Sequence, residues 1–450
     1  MIISKQHLKE KMDRILIKDL SKFIGQEVKV QGFASIIRDQ KAVQFIVLRD
    51  NTGLVQLIHE RKDDKDEISK TISKLNTEST IEAIGKIVEN PRVKLNGLEI
   101  ILENLKIVSS AEPTLPIDIS KNTTSLDKRL DFRFLDLRRP ENLLIFKVQT
   151  TAEKSMRDFW DENGFLEIHS PKFISTASES GSELFEVKYF DQKAYLAQSP
   201  QFYKQMAMAA GFDRVFEIGP VFRANPSFTS RHDTEFTSVD MEISWIESHE
   251  DVMKLEEEWL TYVLTVVKKR HGKDIKQLLN TEIIVPKTPF PRYTLAQALE
   301  IVEKEGHKIP ADSKGDLDPT AEKIMAKYVQ EKHDHQFVFI TDYPISIRPF
   351  YHMRHTNNPN LTKSFDLIWK GLEITTGAQR EHRYEILKKQ SIEKGIKTES
   401  IQFYLDFFRF GCPPHGGLGF GLTRMLMVML DRPNVREVTY LYRGPNRLSP

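Results

Sequence analysis

The chain has 450 residues, of which 40% are hydrophobic and 29% charged, with a formal net charge of +1 at pH 7. This length predicts two or three globular domains, and the charge excludes a protein that is basic over its whole surface, though not a local basic face. The single cysteine, Cys412, excludes an internal disulfide framework. There is no apolar run of about 18 residues and no apolar signal-peptide core near the N-terminus. We therefore expect a cytoplasmic protein with no membrane segment.

The first 110 residues predict a small β-barrel. A short amphipathic helix is expected at 13–24, and a charged helical patch at 61–75. Strands are expected at 28–37, 42–50, 54–58, 79–88 and 98–108. Five strands with a helix between the third and fourth predict a five-stranded Greek-key barrel, the OB-fold. Phe33, Gln44 and Phe45 are predicted to be exposed on its strands, where aromatic residues on a basic surface suit single-stranded nucleic acid; an ordinary surface explains each of them equally well.

A linker is predicted at 111–140, because its first part contains prolines and lacks periodicity. Apolar residues recur at helical spacing from 141 to 163, and Gly164 predicts the helix end. Further signals indicate a strand at 164–171, a helix at 250–270, and strands or helices at 337–344, 364–375 and 418–430. We therefore predict a barrel domain at 1–110, a linker at 111–140, and a second domain at 141–450 that is less regular and helical near 250–335.

The stretch 215–242 predicts two apolar strands joined by a polar connection. The connection carries Arg223, Arg231 and His232 beside aromatic residues that include Phe236. Guanidinium groups next to aromatic faces suit a ligand that is both anionic and planar, such as a nucleotide. The alternative is a surface hairpin with a solvated basic tip, and this stretch alone does not decide between them.

Three weaker patterns accompany the hairpin. The sequence has no GxxxxGK[ST] loop and no GxGxxG between a strand and a helix, so arginines and a metal ion would have to hold a nucleotide. Asp366 and Glu373 lie seven residues apart on predicted adjoining strands, as Mg²⁺ near phosphates requires, although two strand carboxylates can also be unrelated. Four glycines at 416–421 precede a predicted helix that carries Arg424, and a tight turn would explain them as well.

Together these segments resemble a known enzyme family. GFLEIHSP (164–171), GPVFRANPSFTSRHDTEF (219–236) and GLGFGLTR (417–424) resemble the three motifs of class II aminoacyl-tRNA synthetases. TASESGSELFEV, AQSPQFYKQ, IRPFY, GLEITTGAQREH and FGCPPHGG look like segments of the aspartyl-tRNA synthetases of archaeal and eukaryotic type. The resemblance implies an α+β protein, with an anticodon-binding OB-fold barrel followed by a class II catalytic domain, an antiparallel sheet flanked by helices. It also implies a homodimer, with the first motif and its Pro171 at the interface.

The resemblance also implies roles for individual residues. ATP would be bound by Arg223, Ala224, Asn225, Arg231, His232, Asp233, Phe236, Glu373, Gly421, Leu422, Thr423 and Arg424. Aspartate would be bound by Glu179, Gln201, Lys204, Arg223, Asp240, Thr376 and Arg380. Mg²⁺ would be bound by Glu373, Thr376 and Asp366, and the anticodon by Phe33, Ser35, Gln44, Phe45 and Arg92. Among these, Arg223, Arg424 and Glu373 would carry the catalysis.

The implied reaction is the activation of L-aspartate by ATP and its transfer to tRNA(Asp), with tRNA(Asn) as a second acceptor if the small Ser35 relaxes anticodon recognition. Lys204 and Arg380 favour aspartate, because an amide would leave their charges uncompensated. The alternatives are an asparaginyl-tRNA synthetase, an asparagine-forming relative and a synthetase-like paralogue that does not charge tRNA. Asn225 and Thr423 each stand where the family usually has Glu.

Overall fold

The computed structural model describes residues 12–62, 66–121, 123–177, 184–226, 229–313 and 315–450. The chain divides into two compact units, Met1–Asp118 and Ile119–Pro450. The boundary falls inside the predicted linker at 111–140. None of the helices in the described ranges is both long enough and apolar enough to cross a membrane.

The first unit is a closed five-stranded barrel, as predicted. Its elements are β1 (Glu27–Asp39), β2 (Val43–Arg49), β3 (Leu54–Glu60), α1 (Glu67–Ser73), β4 (Thr80–Glu89) and β5 (Leu98–Ser109). The strands pair in the order β1-β2-β3-β5-β4, and β4 closes the barrel against β1. The predicted lead-in helix at 13–24 is instead a 3₁₀ helix, Ile17–Phe23, whose Ile17 and Leu20 are buried with the barrel core.

Two glycines allow the barrel strands to cross closely. A Cβ atom on Gly32 of β1 would lie 2.2 Å from the carbonyl oxygen of Arg49, and one on Gly85 of β4 would lie 2.1 Å from that of Ile101. Both distances are far inside van der Waals contact. Glycine is therefore required at these two positions by backbone approach rather than by a turn.

The second unit contains an eight-stranded sheet, a three-stranded sheet and the remaining helices. Its strands are β6 (Leu166–Glu167), β7 (Phe173–Ile174), β8 (Glu186–Tyr189), β9 (Gln192–Leu196), β10 (Arg214–Phe222), β11 (Glu235–Ser244), β12 (Arg292–Thr294), β13 (Phe337–Thr341), β14 (Ser364–Trp369), β15 (Leu372–Gln379) and β16 (His415–Gly421). The large sheet has the order β12-β13-β14-β15-β16-β11-β10-β6, and the small sheet β7-β9-β8. All pairs in the large sheet are antiparallel except β10 with β6 and β12 with β13 at its two edges.

The helices of the second unit pack against the large sheet or against one another. They are α2 (Leu126–Asp131), α3 (Arg133–Asp136), α4 (Pro140–Glu162), α5 (Gln201–Ala209), α6 (His249–Leu279), α7 (Leu295–Lys304), α8 (Pro319–His333), α9 (Tyr384–Glu393), α10 (Gln402–Arg409), α11 (Leu422–Met429) and α12 (Val435–Val438). Trp160 of α4 stacks on Trp259 of α6 at 5.1 Å between ring centroids, and Trp259 contacts Phe420 of β16 at 5.0 Å. This aromatic column joins both long helices to the middle of the sheet.

Two hairpins place the polar residues singled out in the sequence. β10 and β11 pair over their whole length, from Arg214 opposite Ile243 to Phe222 opposite Glu235. The polar connection predicted at the tip of this hairpin therefore follows Phe222 directly. β14 and β15 form the second hairpin, in which Asp366 lies opposite Thr376.

Candidate active site

A cavity of about 330 Å³ lies in the second unit. Its walls come from the β10–β11 hairpin, β15, the junction of β16 with α11, and the segment 347–352. The lining includes these residues singled out in the sequence: Gln201, Arg223, Asn225, Arg231, His232, Asp233, Phe236, Asp240, Glu373, Thr376, Arg380, Gly421, Thr423 and Arg424. Residues separated by more than 200 positions in the chain thus meet in one place.

Other lining residues were missed by sequence reasoning. They are Ser199, Ser238, Ile347, Arg348, Pro349, Tyr351, His352, Ile374 and Phe420. Four of them belong to the segment IRPFY, which contributed to the family resemblance although no residue in it was assigned a role. Arg348 carried a usable signal, because a cation inside a largely apolar segment needs a partner or a ligand.

One end of the cavity suits a planar ligand. The guanidinium of Arg223 lies 5.4 Å from the ring centroid of Phe236. Nη1 of Arg424 donates to the carbonyl oxygen of Glu373 at 3.0 Å, which fixes the second guanidinium at the same cavity. A flat aromatic ring and two cations in one cavity match a nucleotide base and its phosphate.

Arg231 and His232 line the cavity beside further carboxylates. Nη1 of Arg231 lies 3.0 Å from both carboxylate oxygens of Glu322, in the first turn of α8, and Glu322 also accepts the backbone N–H of Glu373 at 3.2 Å. Burial raises the pKa of Glu322 to about 7, against the effect of Arg231. Burial, together with Arg424, Arg231 and Arg223, lowers the pKa of His232, which keeps its imidazole neutral.

Asp233 is an unusual acidic residue for a cavity that would bind phosphates. Burial raises its pKa to about 7, although Arg424 and a hydrogen bond from Thr423 oppose the shift. Its Oδ2 is buried and has no hydrogen-bond partner in the described part of the chain. Thr423, which stands where the family usually has Glu, therefore contacts Asp233.

The predicted metal ligands divide into two groups. Oγ1 of Thr376 donates to Oε1 of Glu373 at 3.2 Å, and both residues line the cavity. Asp366 is 5% exposed and does not line it, because Oδ2 accepts a hydrogen bond from Arg348 at 2.6 Å. No group of three or more His, Cys, Asp or Glu side chains is arranged to hold a metal in the described ranges. Glu373 and Thr376 still fit Mg²⁺, which binds through one or two carboxylates when substrate phosphates supply the other oxygens.

The two cations expected to meet aspartate already have partners. Nζ of Lys204 donates to Asp240 at 2.7 Å and to the carbonyl oxygen of Leu418 at 2.8 Å, and Lys204 is 1% exposed and does not line the cavity. Arg380 pairs with Glu242 at 3.0 Å. The argument that an amide substrate would leave these two charges uncompensated is therefore wrong, because two carboxylates of β11, Asp240 and Glu242, already balance them.

The glycines of β16 belong to a central strand rather than to a phosphate loop or a tight turn. A Cβ atom on Gly417 would lie 2.1 Å from the carbonyl oxygen of Met241 and 2.2 Å from Oε2 of Glu242. The glycine therefore leaves room for the carboxylate that pairs with Arg380. Gly419 and Gly421 line the cavity directly.

Several further expectations are corrected or fall outside the described ranges. Leu422 is 1% exposed and packs in the core, and neither it nor Ala224 lines the cavity. Gln44 is wholly buried rather than exposed on the barrel, because its amide donates to Asp39 and to the carbonyl oxygen of Ser69. Glu179 lies outside the described residues. Burial raises the pKa of Cys412 to about 12, which excludes a reactive thiolate at neutral pH.

The other predicted anticodon contacts lie on the barrel surface. Phe33 and Phe45 are half-buried and Arg92 is exposed. The guanidinium of Arg49 lies 5.6 Å from the ring centroid of Phe33. Ser35 donates its hydroxyl to the carbonyl oxygen of Val47 at 2.9 Å, so its oxygen points back to the neighbouring strand.

The second unit is a sheet-based domain whose cavity brings arginines and an aromatic ring together, and its sequence has no GxxxxGK[ST] phosphate-binding loop. Residues 125–443 match the family described as tRNA synthetases class II (D, K and N), and residues 28–108 match an OB-fold nucleic acid binding domain. The chain belongs to this class II tRNA synthetase family and is therefore an aminoacyl-tRNA synthetase, a ligase that uses ATP.

Curated relatives resemble the chain over almost its whole length. The aspartate–tRNA(Asp) ligase of Thermococcus kodakarensis is 44% identical over 95% of this chain and 97% of its own. The aspartate–tRNA(Asp/Asn) ligase of Aeropyrum pernix is 41% identical over 98% of this chain and 100% of its own. Relatives named for tRNA(Asp) alone and relatives named for both tRNA(Asp) and tRNA(Asn) thus have a similar sequence identity to this chain.

Solved structures confirm the fold and leave the amino acid open. A putative aspartyl-tRNA synthetase from Leishmania major has a TM-score of 0.89 at 29% identity, and the match covers 100% of this chain and 97% of that one. The asparaginyl-tRNA synthetase of Pyrococcus horikoshii, complexed with asparaginyl-adenylate, also has a TM-score of 0.89 at 29% identity, covering 97% of this chain and 100% of that one. The backbone therefore does not distinguish the two specificities.

Proposed function

We propose that this chain is an aspartate–tRNA ligase that joins L-aspartate to tRNA(Asp) through an aspartyl-adenylate. The observation that carries the choice of amino acid is that relatives at 41% and 44% identity over nearly the whole chain are named aspartate ligases. Arg380 lines the cavity and, within the described part of the chain, has an N–H group left for the substrate side chain, although Glu242 already balances its charge. The cytoplasm is the proposed compartment.

The first step needs positioning and charge neutralisation rather than a base. The α-carboxylate of aspartate has a pKa of about 3.3–3.7 and is ionised at pH 7. It attacks the α-phosphorus of ATP, the bond to the β-phosphate breaks, and pyrophosphate leaves with the electron pair. Arg223 binds both the α-phosphate and the attacking carboxylate and reduces their mutual repulsion. Adenine stacks between Phe236 and Arg424.

The outer phosphates of ATP are bound by Arg231 and His232 on one side and by a proposed Mg²⁺ site on the other. Arg231 uses Nη1 for Glu322 and keeps its remaining N–H groups for phosphate oxygens. Neutral His232 donates a hydrogen bond without adding charge. Glu373 and Thr376 would hold Mg²⁺, with Oδ1 of Asp366, a buried oxygen that has no partner in the described ranges, as a third ligand if Arg348 shifts. When bound, the ion neutralises phosphate charge as pyrophosphate leaves.

Aspartate lies at the part of the cavity formed by Gln201, Asp240 and Arg380. Asp240 binds the amino group, with Glu179 as the second proposed contact, and Lys204 holds Asp240 in place through their 2.7 Å contact. The amide nitrogen of Gln201 is buried with no partner in the described chain, so it is available to a substrate oxygen. Arg380 binds the side-chain carboxylate, which adds one negative charge to a group of side chains that is otherwise neutral.

The second step transfers aspartate from the adenylate to the terminal ribose of tRNA. A ribose hydroxyl attacks the carbonyl carbon, AMP leaves with the electron pair, and the hydroxyl proton passes to the departing phosphate. The barrel binds the anticodon through Phe33, Phe45 and Arg92, and the small Ser35 leaves room for more than one base. Charging of tRNA(Asp) and tRNA(Asn) transcripts tests this relaxation: measurable aspartyl-tRNA(Asn) supports it, and no detectable product refutes it.

A homodimer is proposed from the first motif and an exposed apolar surface beside it. Leu166 is 53% exposed, Phe173 57% and Phe190 80%. Phe173 contacts Tyr189 at 5.5 Å between centroids, and Tyr189 contacts Phe190 at 4.9 Å. An exposed aromatic cluster of this kind commonly marks a protein interface, and Leu166 adds an exposed apolar residue within the first motif.

Amino-acid-dependent ATP–pyrophosphate exchange by the purified full-length protein tests the proposed function. We expect exchange with aspartate, and exchange with asparagine lower by about 100-fold or more, since each tenfold corresponds to about 1.4 kcal/mol. An asparaginyl-tRNA synthetase would reverse this preference. A paralogue that does not charge tRNA would show exchange with neither amino acid.

A further inference from the structure

His352 lies beside the guanidinium that is proposed to bind the substrate side chain. The two residues form an isolated antiparallel backbone bridge, and hydrogen bonds on either side of it join Glu381 N to Tyr351 O at 2.9 Å and Met353 N to Gln379 O at 3.0 Å. Nη1 of Arg380 lies 3.1 Å from Nε2 of His352. His352 is 2% exposed and lines the cavity, yet no motif in the sequence singled it out.

The hydrogen bonds of Arg380 leave little for a ligand. A guanidinium has five N–H groups. Nε donates to Glu242 Oε1 at 3.0 Å, and Nη2 donates to Glu242 Oε2 at 3.4 Å and to the carbonyl oxygen of Gly417 at 2.8 Å. One of the two Nη1 hydrogens points to His352. In the described part of the chain this leaves one N–H of Arg380 without a partner, and it is the other hydrogen of Nη1, the nitrogen that contacts His352.

The protonation state of His352 follows from this partner. Arginine can only donate, so Nε2 must accept and the ring proton must be on Nδ1. Burial is the main cause that holds the pKa of His352 well below its usual range, and Arg380, Arg348, Lys394 and Lys204 lower it further. A protonated ring would lose the acceptor and place a second cation against Arg380.

We propose that His352 is a positioning residue for amino-acid selection: its Nε2 fixes the Nη1 end of Arg380, and so sets the direction of the one N–H left for the substrate side-chain carboxylate. The inference rests on the proposed function, because it assumes that Arg380 meets aspartate. Gln390 of α9 holds the loop from behind, with its amide 3.1 Å from the carbonyl oxygen of His352 and 2.5 Å from that of Phe350.

Two amide substitutions separate the ring nitrogens. The side-chain amide of glutamine lies about as far from Cα as Nε2 of histidine does, and that of asparagine about as far as Nδ1. His352→Gln should therefore keep an acceptor for Arg380, and His352→Asn should lose it. We expect the KM for aspartate in ATP–pyrophosphate exchange to rise about tenfold in His352→Asn, the effect of one hydrogen bond to a charged group, and to stay within about threefold in His352→Gln. The KM for ATP should change little in both.

A double-mutant cycle tests whether the effect passes through Arg380. In an Arg380→Lys background, His352→Asn should change the KM for aspartate by less than about twofold, because the contact has already been lost. His333 provides matched controls: it is exposed, its Nε2 bonds to the Tyr293 hydroxyl at 2.7 Å, and it does not line the cavity. His333→Asn and His333→Gln should leave both KM values unchanged.

The outcomes separate the two proposals. Equal KM values in wild type and His352→Asn, or equal losses in both His352 variants, overturn the role of His352 and leave the aspartate ligase in place. Rescue by asparagine and not by glutamine also overturns it, because the substrate would then contact Nδ1 directly. An inactive wild type with aspartate overturns both.

Discussion

Most cations around the candidate active site have a partner within the protein. Lys204 pairs with Asp240, Arg380 with Glu242, Arg231 with Glu322 and Arg348 with Asp366. Buried pairs of this kind hold each side chain in one geometry, and removing one partner leaves an uncompensated buried charge. The substrate therefore enters a site that is already charge-balanced and oriented.

Lys204→Met should abolish aspartate activation and leave ATP binding intact. The substitution leaves Asp240 buried without its ammonium partner, which costs several kcal/mol and corresponds to a loss of about 100-fold or more in kcat/KM for aspartate. ATP–pyrophosphate exchange and equilibrium binding of ATP measure the two effects. Lys193→Met is the control, because Lys193 is an exposed lysine of β9. Unchanged aspartate-dependent exchange in Lys204→Met would show that Lys204 has no role in binding aspartate.

Sequence reasoning predicted the cations of the cavity better than their partners. Arg223, Arg231 and Arg424 were identifiable because they stand in motifs with aromatic or glycine neighbours. Glu322 was not, since it lies 91 residues from Arg231 in a segment with no clear pattern. A contact between residues far apart in the chain leaves no local pattern in the sequence. The carboxylates that pair with these cations could therefore be identified only from the structure.

At the scale of elements, the long helix α6 contributes a buried acid to the sheet. Glu256 is 0% exposed, and Oγ1 of Thr375 on β15 donates to its Oε1 at 2.5 Å. Burial raises the pKa of Glu256 to about 8, with Glu257 and Asp366 adding to the shift against the Thr375 hydrogen bond. The helix thus carries a carboxyl group that is neutral in the folded protein at pH 7.

The stability difference between Glu256→Gln and wild type should depend on pH. The pKa of this carboxyl rises from an ordinary value of 4.5 to about 8 in the folded protein. Between these values the folded state holds a proton that the unfolded state has lost, so wild-type stability falls as pH rises and levels off above about pH 8. Glutamine has no such proton, so the variant should gain on the order of 1–3 kcal/mol relative to wild type between pH 5.5 and 8.

Urea denaturation at the two pH values measures this difference. Glu258→Gln is the control, because Glu258 lies on the same helix and is exposed. A Glu256→Gln variant that parallels wild type at both pH values would contradict a neutral carboxyl at this position.

The elements that sequence predicted well are those with regular burial. In β4 buried and half-buried residues alternate, and all five barrel strands lie close to their predicted positions. The predicted strand at 164–171 is only the two-residue β6, because its pairing with β10 is confined to Leu166 and Glu167. The segment 281–335 contains β12, α7 and α8, although its sequence shows only a weak local pattern. Contacts with distant strands stabilise these elements, so the sequence of the segment alone did not predict them.

At the scale of the whole molecule, the two compact units match the domain organisation of an aminoacyl-tRNA synthetase, and the second unit carries the candidate active site and the proposed dimer surface. The order of barrel and catalytic domain was predictable from sequence. The number of subunits depends on the complementarity of two folded surfaces, which a sequence does not display. Here the only indication of a dimer in the sequence is the resemblance of the first motif.

Leu166→Asp should convert the proposed dimer to a monomer. A charge at a 53% exposed position costs the isolated subunit little, whereas it would be buried and unpaired in an interface. Sedimentation velocity measures the change in mass. Phe410→Asp is the control, since Phe410 is 85% exposed on the short segment after α10. Equal sedimentation of wild type and Leu166→Asp would place the interface elsewhere.

The most direct test of the central claim is aminoacylation of a tRNA(Asp) transcript by the purified wild-type protein with radiolabelled amino acids. The proposed function predicts ATP-dependent formation of aspartyl-tRNA(Asp), lost on alkaline hydrolysis as an ester must be, and no product with asparagine. Charging with asparagine instead, or ATP binding without any charged tRNA, would contradict it.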